Sequence, residues 1–252
     1  DNAFTIDKFE LTQPNASGIV WQVGSNVAIN WDIASDGSTM GNVKVQYSSN
    51  GTLWPEGYVI TTTVPAPAKT APFAVPDMMA LEANPSGLFN NMKVKISLVN
   101  DPSISSVSAN PFYIVPKIVM VRPTGGEEFF VDEDQDIKWR CYGGVDKVNI
   151  YYYNPTTSQW VPIVAGKDNV GNGTTVNVHS WKVDAPISGQ IKIKVCSKYD
   201  TTTAEASAIS GDFYVKGKID FKYPLGGETL TVDDPITIQW EPHGDLVNVQ
   251  VW

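Results

Sequence analysis

Apolar and polar residues alternate along most of this chain. The alternation is clearest over residues 43–47, 92–96, 148–152 and 191–195. A period of two is typical of β-strands with one buried and one solvated face. The only segment that leans towards a helix, residues 77–83, lies between Pro76 and Pro85, and we expect one short turn there at most. The pattern therefore predicts an all-β protein.

A longer repeat groups these strands into units. Pro-x-Gly-Gly-Glu at 123–127 recurs at 224–228. The Trp139 that follows the motif at 123–127 recurs as Trp240. Both offsets are 101 residues, since 224 − 123 and 240 − 139 agree. A looser first copy of the motif begins at Pro14 and is followed by Trp31. About seven short strands per unit of about 100 residues predict tandem immunoglobulin-like (Ig-like) β-sandwiches. We place the units at 1–116, 117–216 and 217–252.

The third unit is expected to be incomplete. When the strand at 247–251 is aligned with that at 148–152, Trp252 falls at Tyr153 of the second unit, so the third holds only strands A to C of a sandwich that needs about four more. We expect the sequence to be a fragment of a longer repeat protein. The alternative is that another chain supplies the missing strands at the open edge. The junctions are too short for flexible tethers, which predicts a semi-rigid rod of stacked domains.

Aromatic residues divide into inward and outward sets. Trp54 and Trp160 recur at one place in the repeat, which we interpret as a packing position. Tyr151 and Tyr153 alternate with inward residues and are predicted on the outer face. There they either contact a sugar or a neighbouring subunit, or are ordinary strand aromatics favoured by β-propensity.

Composition narrows the function. The chain has 18 Lys and Arg against 27 Asp and Glu, a net charge of −9, with only two His and two Cys. This balance disfavours nucleic-acid binding. No catalytic motif is recognisable, so we expect neither an enzyme nor a required cofactor. The chain has no run of 18 apolar residues, so the sequence predicts no membrane-spanning helix.

An acidic turn is the candidate metal site. It comprises Asp132, Glu133, Asp134 and Asp136, and Asp184 in a later loop at the same end of the sandwich completes the set. Ca2+ prefers several carboxylate and carbonyl oxygens, and an ion at a domain junction would stiffen the rod. A solvated acidic turn is the competing interpretation.

Two kinds of covalent modification are also suggested. Asn15, Asn50 and Asn172 begin Asn-x-Ser/Thr sequons, which are glycan acceptors if the chain is exported. Cys141 and Cys196 lie in the strands that an Ig disulfide joins, but Cys196 is out of step with its inward neighbours. The pair either forms a bridge or leaves Cys141 as a small buried hydrophobe.

The repeated Pro-x-Gly-Gly-Glu, the Ile-x-Trp of the next strand and the closing Phe-Tyr-Val at 213–215 carry a resemblance. This pattern resembles the Ig-like modules of large bacterial and archaeal cell-surface proteins, including surface-layer (S-layer) proteins. It is also similar to the Ig-like domain of fungal wall-associated, Ser/Thr-rich anchored proteins. The first copy departs from the motif, with Asn15-Ala16-Ser17 where Gly-Gly-Glu stands in the others.

The resemblance implies a structural fragment of a large extracellular surface protein, an S-layer or envelope component that uses Ca2+ for assembly. Its expected partners are other copies, neighbouring domains of the same protein, and cell-wall or surface glycans. The alternatives are an adhesin stalk, a carbohydrate-binding module, or accessory domains of a secreted hydrolase.

Overall fold

The computed structural model describes residues 8–34, 40–78, 84, 86–200 and 204–251. Most of the helix-leaning segment 77–83, and Trp252, lie outside these residues. The described residues form an all-β protein of tandem Ig-like sandwiches, as the alternation predicts. Short 3-10 turns occur at Ala66–Ala68 and Ala204–Ala206.

The first unit is a sandwich of two sheets. Its strands are β1 (Phe9–Gln13), β2 (Val20–Gln22), β3 (Asn26–Ile33), β4 (Asn42–Ser48), β5 (Val59–Pro65), β6 (Thr70–Ala74), β7 (Phe89–Leu98), β8 (Ser105–Val107) and β9 (Phe112–Val115). One sheet has the order β1-β3-β6. The other has the order β2-β9-β7-β4-β5, with β8 added against β7.

The second unit repeats this topology strand for strand. Its strands are β10 (Lys117–Arg122), β11 (Glu128–Phe130), β12 (Asp134–Tyr142), β13 (Lys147–Asn154), β14 (Gln159–Asp168), β15 (Asn177–Lys182), β16 (Ser188–Ser197), β17 (Ser207–Ile209) and β18 (Phe213–Lys216). The sheets have the orders β10-β12-β15 and β11-β18-β16-β13-β14, with β17 against β16. The sequence repeat is therefore a repeat of topology.

The Pro-x-Gly-Gly-Glu motif lies where the chain crosses between the two sheets. Strand β10 before it pairs antiparallel with β12, whereas β11 after it pairs parallel with β18 of the other sheet. The Glu127 carboxylate closes the crossing loop, accepting hydrogen bonds from the N–H groups of Thr124 and Gly125, both at 2.7 Å. Glu228 repeats this closure on the amides of Leu225 and Gly226.

The first copy closes its crossing loop differently. Asn15 directly follows Pro14, as Thr124 follows Pro123, and its side-chain oxygen accepts a hydrogen bond from the Ala109 N–H at 2.8 Å. The Asn110 side chain donates back to the Asn15 carbonyl at 2.9 Å. Strand β2 still pairs parallel with β9, so the departure from the motif changes the loop and keeps the crossing.

Each of the first two units has its own hydrophobic core between its sheets. Trp31 and Trp139 fill matched positions and are 1% and 0% exposed. The Trp31 indole N–H donates to the Ala66 carbonyl, and that of Trp139 donates to the Asn169 side chain. Trp21 and Trp181 are also buried.

The third unit consists of an antiparallel pair, β19 (Lys218–Tyr223) and β20 (Gln239–His243), in the place of β10 and β12. No second sheet covers this pair among the described residues. Trp240 is therefore 38% exposed where Trp139 is fully buried, and Phe221 is 52% exposed. No helix in the described part of the chain has the length and apolar character to cross a membrane.

Single residues separate the units. Pro116 lies between β9 and β10, and Gly217 lies between β18 and β19. One residue gives a linker almost no reach, so the end of each unit lies directly against the start of the next.

An equivalent backbone hydrogen bond lies within each of the first two units, at the end where the next unit begins. The Val23 N–H donates to the Val115 carbonyl at 3.0 Å, and the Val131 N–H donates to the Lys216 carbonyl at 3.0 Å. Both donors lie just after the second strand of a unit, and both acceptors lie at the end of its last strand. The edge of each unit is thus held in the same way where the next unit begins.

A glycine from the following unit packs into each junction. A Cβ added at Gly143 would lie 3.0 Å from Val23 Cγ2, and one added at Gly244 would lie 3.1 Å from Val131 Cγ2. Both glycines have positive φ, of 91° and 80°. The contact needs the absence of a side chain, which explains glycine at these matched positions.

Candidate functional site

The most distinctive surface of the second unit is the outer face of its larger sheet. Alternation along β13 directs Ile150 and Tyr152 into the core and leaves Tyr151 and Tyr153 on the outer side, half-buried. Tyr151 lies opposite Lys194 of β16 and Pro162 of β14. Three strands therefore bring these side chains into one row.

The neighbouring row holds a third aromatic residue. Tyr153 lies opposite Trp160 of β14, and the two rings meet edge to face with centroids 5.4 Å apart. The Lys194 ammonium lies 4.8 Å from the Trp160 ring centroid and 4.9 Å from that of Tyr151. We call Tyr151, Tyr153, Trp160 and Lys194 the outer-face patch.

The placement of Trp160 corrects the sequence interpretation. Trp54 and Trp160 are half-buried and belong to neither hydrophobic core. Each instead lies near a lysine of the larger sheet, Lys95 of β7 at 5.9 Å in the first unit and Lys194 of β16 at 4.8 Å in the second. The position recurs because it pairs an aromatic face with a cation, an interaction worth about 0.5–1 kcal/mol at an exposed site.

The first unit has the lysine–tryptophan pair without the tyrosines. Gln46 and Ser48 occupy the positions of Tyr151 and Tyr153, and an ion pair between Lys44 and Glu56, at 2.9 Å, lies on the same face. Of the first two units, only the second therefore has the aromatic row.

Charge on this face is unevenly neutralised. Lys192 pairs with Asp212 at 3.5 Å, and Lys216 pairs with Glu128 at 2.5 Å. Within the part of the chain that the structure describes, no carboxylate pairs with Lys194. The Lys-x-Lys alternation of β16 is the sequence signal that could have identified these cations on the outer face.

The five carboxylates of the predicted calcium site do not form one ligand set. Among the described residues, no group of three or more Asp, Glu, His or Cys side chains is arranged to hold a metal. Asp136 pairs with Lys138 at 3.2 Å, and Asp184 accepts a hydrogen bond from the Trp181 indole. Asp134 lies in β12 with its side chain exposed. Calcium binding stays a prediction.

Two members of the acidic turn instead contact the third unit. Glu133 pairs with Lys218 at 3.5 Å. Asp132 lies 3.0 Å from His243 Nδ1, and the other ring nitrogen, Nε2, lies 3.1 Å from Asp220. The hydrogen bond to Asp132 is the main cause that raises the pKa of His243, and Asp220 adds to it. The turn therefore faces the domain junction, where its carboxylates meet Lys218 and His243 of the third unit.

The sequon asparagines differ in their surroundings. Asn50 and Asn172 are exposed in turns, where their side-chain oxygens accept backbone hydrogen bonds, such as that from Thr175 to Asn172 at 2.8 Å. Asn15 is half-buried and its side chain is bonded to Ala109. Glycosylation stays a prediction at all three, and Asn50 and Asn172 are the more accessible acceptors.

Cys141 and Cys196 are both free and buried. Cys141 lies in the core of the second unit, as the buried-hydrophobe alternative expects, and burial raises the pKa of its thiol to about 12. Cys196 belongs to the opposite sheet, and its thiol donates to the Asn149 carbonyl outside that core. Burial raises its pKa as well. The bridge is not formed because the two side chains lie on different sides of the larger sheet.

No protein-family profile and no curated protein sequence matches the chain. Solved structures do match. The fibronectin(III)-like modules of CbhA from Clostridium thermocellum are 15% identical, with 82% of this chain and 94% of that chain covered and a TM-score of 0.26. A three-Ig structure of titin is 11% identical, with 82% and 65% covered and a TM-score of 0.31. The two-domain structure of DIP-gamma is 10% identical, with 82% and 97% covered and a TM-score of 0.25. The fold class rests on the strand order of the chain itself.

Proposed function

We propose that the chain is a structural, non-enzymatic part of a large extracellular surface protein, a component of an S-layer or similar envelope lattice. The observation that carries the proposal is the repeated junction, in which a one-residue link and a close valine–glycine contact between neighbouring units recur. Such junctions fix the position of one sandwich relative to the next, as a spacer or lattice element requires.

The mechanism we propose is mechanical. Each sandwich contributes a fixed length, and the contacts of Val23 with Gly143 and of Val131 with Gly244 limit rotation between neighbours. Outer faces and strand edges are then free to contact other copies, neighbouring domains of the same protein or surface glycans. Calcium at the acidic turn and glycans at Asn50 and Asn172 belong to the same proposal.

Immunogold labelling tests the location. Antibodies raised against the purified chain should label intact cells of the source organism, and negatively stained envelope fragments should show the label on a periodic lattice. The matched control is labelling after permeabilisation. A signal that appears only in permeabilised cells would contradict the proposal.

Isolation of the native protein tests the non-enzymatic part. The same antibodies should recover a long chain whose peptide masses map to further Ig-like repeats. Recovery of a catalytic domain on the same chain would instead make these units the accessory region of a secreted hydrolase.

A further inference from the structure

The outer-face patch has features that a spacer does not need. A sheet face exposed only to water is expected to carry scattered polar residues, whereas here three aromatic rings and a cation lie together on adjacent strands. The first unit has the same fold and the same lysine–tryptophan pair, but not the tyrosines. The fold therefore does not require the aromatic row.

We propose that the outer-face patch binds an acidic polysaccharide, with sugar rings against the aromatic side chains and a sugar carboxylate at the Lys194 ammonium. This inference goes beyond the structural role proposed above. Tyr and Trp combine a large apolar surface with a polar edge, which suits a ligand whose rings have C–H faces and hydroxyl rims.

The charge of Lys194 selects an acidic sugar. Its ammonium lies within 5 Å of the ring centroids of Tyr151 and Trp160, at 4.9 Å and 4.8 Å, and pairs with no carboxylate among the described residues. An ammonium with part of its hydration replaced by rings gains more from an anion than a fully hydrated one. Net charge of the chain is −9, so a polyanion is repelled by most of the surface. Binding is therefore restricted to locally cationic places, because charges beyond about 8 Å are screened at physiological salt.

The dimensions of the patch fit an extended ligand. The row through Pro162, Tyr151 and Lys194 continues to Ile209 of β17, which is 52% exposed. Neighbouring strands are about 4.8 Å apart, so this row of four strands is about 14 Å long. That length accommodates several linked sugars and exceeds what a single sugar needs.

NMR titration with hexagalacturonate tests the proposal. The Trp160 indole N–H reports on the patch, and that of Trp54, beside Lys95 in the first unit, is the matched internal control. The Trp160 signal should shift in a saturable way while the Trp54 signal stays in place. The fully methyl-esterified oligosaccharide has the same rings without the charge, and it should bind several-fold more weakly.

Two substitutions separate the contributions. Lys194→Met keeps the apolar stem and removes the charge, and it should weaken binding about three- to fivefold, the range of an exposed ion pair. Tyr153→Ala should weaken it about tenfold or more, because it removes one of the three rings that the ligand contacts, and unchanged affinity would contradict the proposal. Lys95→Met, the matched change in the first unit, should leave binding unchanged. Circular dichroism of each variant verifies folding.

Several results would overturn the proposal. They are the absence of a Trp160 shift, equal shifts at Trp54, equal affinity for the methyl ester, and unchanged affinity in Lys194→Met. A Trp160 signal that moves with protein concentration alone would assign the patch to self-association instead. The structural function is tested by cell labelling, so the two proposals can fail separately.

Discussion

His243 lies between two carboxylates that belong to different units. Asp132 of the second unit is 3.0 Å from one ring nitrogen, and Asp220 of the third is 3.1 Å from the other. A neutral imidazole has one N–H and can donate to only one of them, whereas the imidazolium donates to both. Lys218 and Lys182 also approach these carboxylates, at 3.3 Å and 3.9 Å. The contact therefore depends on the proton of His243.

We expect the two histidines to titrate on opposite sides of their ordinary pKa of 6.5. The Asp132 hydrogen bond raises the pKa of His243, and burial lowers that of His179. Because the folded pKa of His243 is raised, its stabilisation is complete below pH 6.5 and is lost as the pH rises through the folded value. NMR titration of the ring protons measures both values. Asp132→Asn should lower the pKa of His243 and leave that of His179 unchanged, and a His243 pKa below 6.5 would contradict the contact.

At the scale of elements, one carboxylate closes the loop by which the second unit crosses between its sheets. Burial alone would raise the pKa of Glu127, but hydrogen bonds from the amides of Thr124 and Gly125 outweigh it and lower the pKa. We expect Glu127→Ala to destabilise the second unit by about 1–2 kcal/mol at neutral pH, since charged acceptors contribute about 1.5–3 kcal/mol and this one is partly solvated.

Urea unfolding at several pH values measures the contribution of Glu127. A lowered folded pKa means that the stabilisation is present above pH 4.5 and is lost as the pH falls through the folded value. The wild type and Glu127→Ala should therefore converge in acid. Glu128→Ala, which removes a neighbouring exposed carboxylate paired with Lys216, is the control and should cost less. Equal losses in the two variants would refute the role of the loop.

Elements with regular alternation were predictable from the sequence, and irregular ones were not. In β13 the period of two placed Ile150 and Tyr152 inwards, because side-chain direction in a regular strand is a local property. In β14 the pairing with β13 is regular from Gln159 to Pro162, so the alternation that turns Val161 towards the core also turns Trp160 outwards, and the recurrence of the tryptophan in the repeat was the misleading signal. The pair of Asp132 with His243 joins positions 111 residues apart, and no local pattern encodes it.

At the scale of the whole molecule, the function depends on whether neighbouring units are held against each other, and Gly143 tests this. Its φ is 91°, and a Cβ would also approach Val23 and Pro116 at 3.0 Å and 3.1 Å. Gly126 has a similar φ of 82° with nothing near an added Cβ. A substitution at Gly126 therefore measures the free-energy cost of the backbone conformation alone.

We expect Gly126→Ala to destabilise the chain by about 1 kcal/mol through backbone strain alone. Gly143→Ala should cost about 1–3 kcal/mol more, since it also overpacks the junction. Urea unfolding measures both losses. Small-angle X-ray scattering should show a broader distribution of interdomain distances only for Gly143→Ala, because the added methyl group separates the first two units while Gly126 lies away from the junction. If both variants lose the same stability and scatter like the wild type, the valine–glycine contact does not hold the units together, and the mechanical role loses its main support.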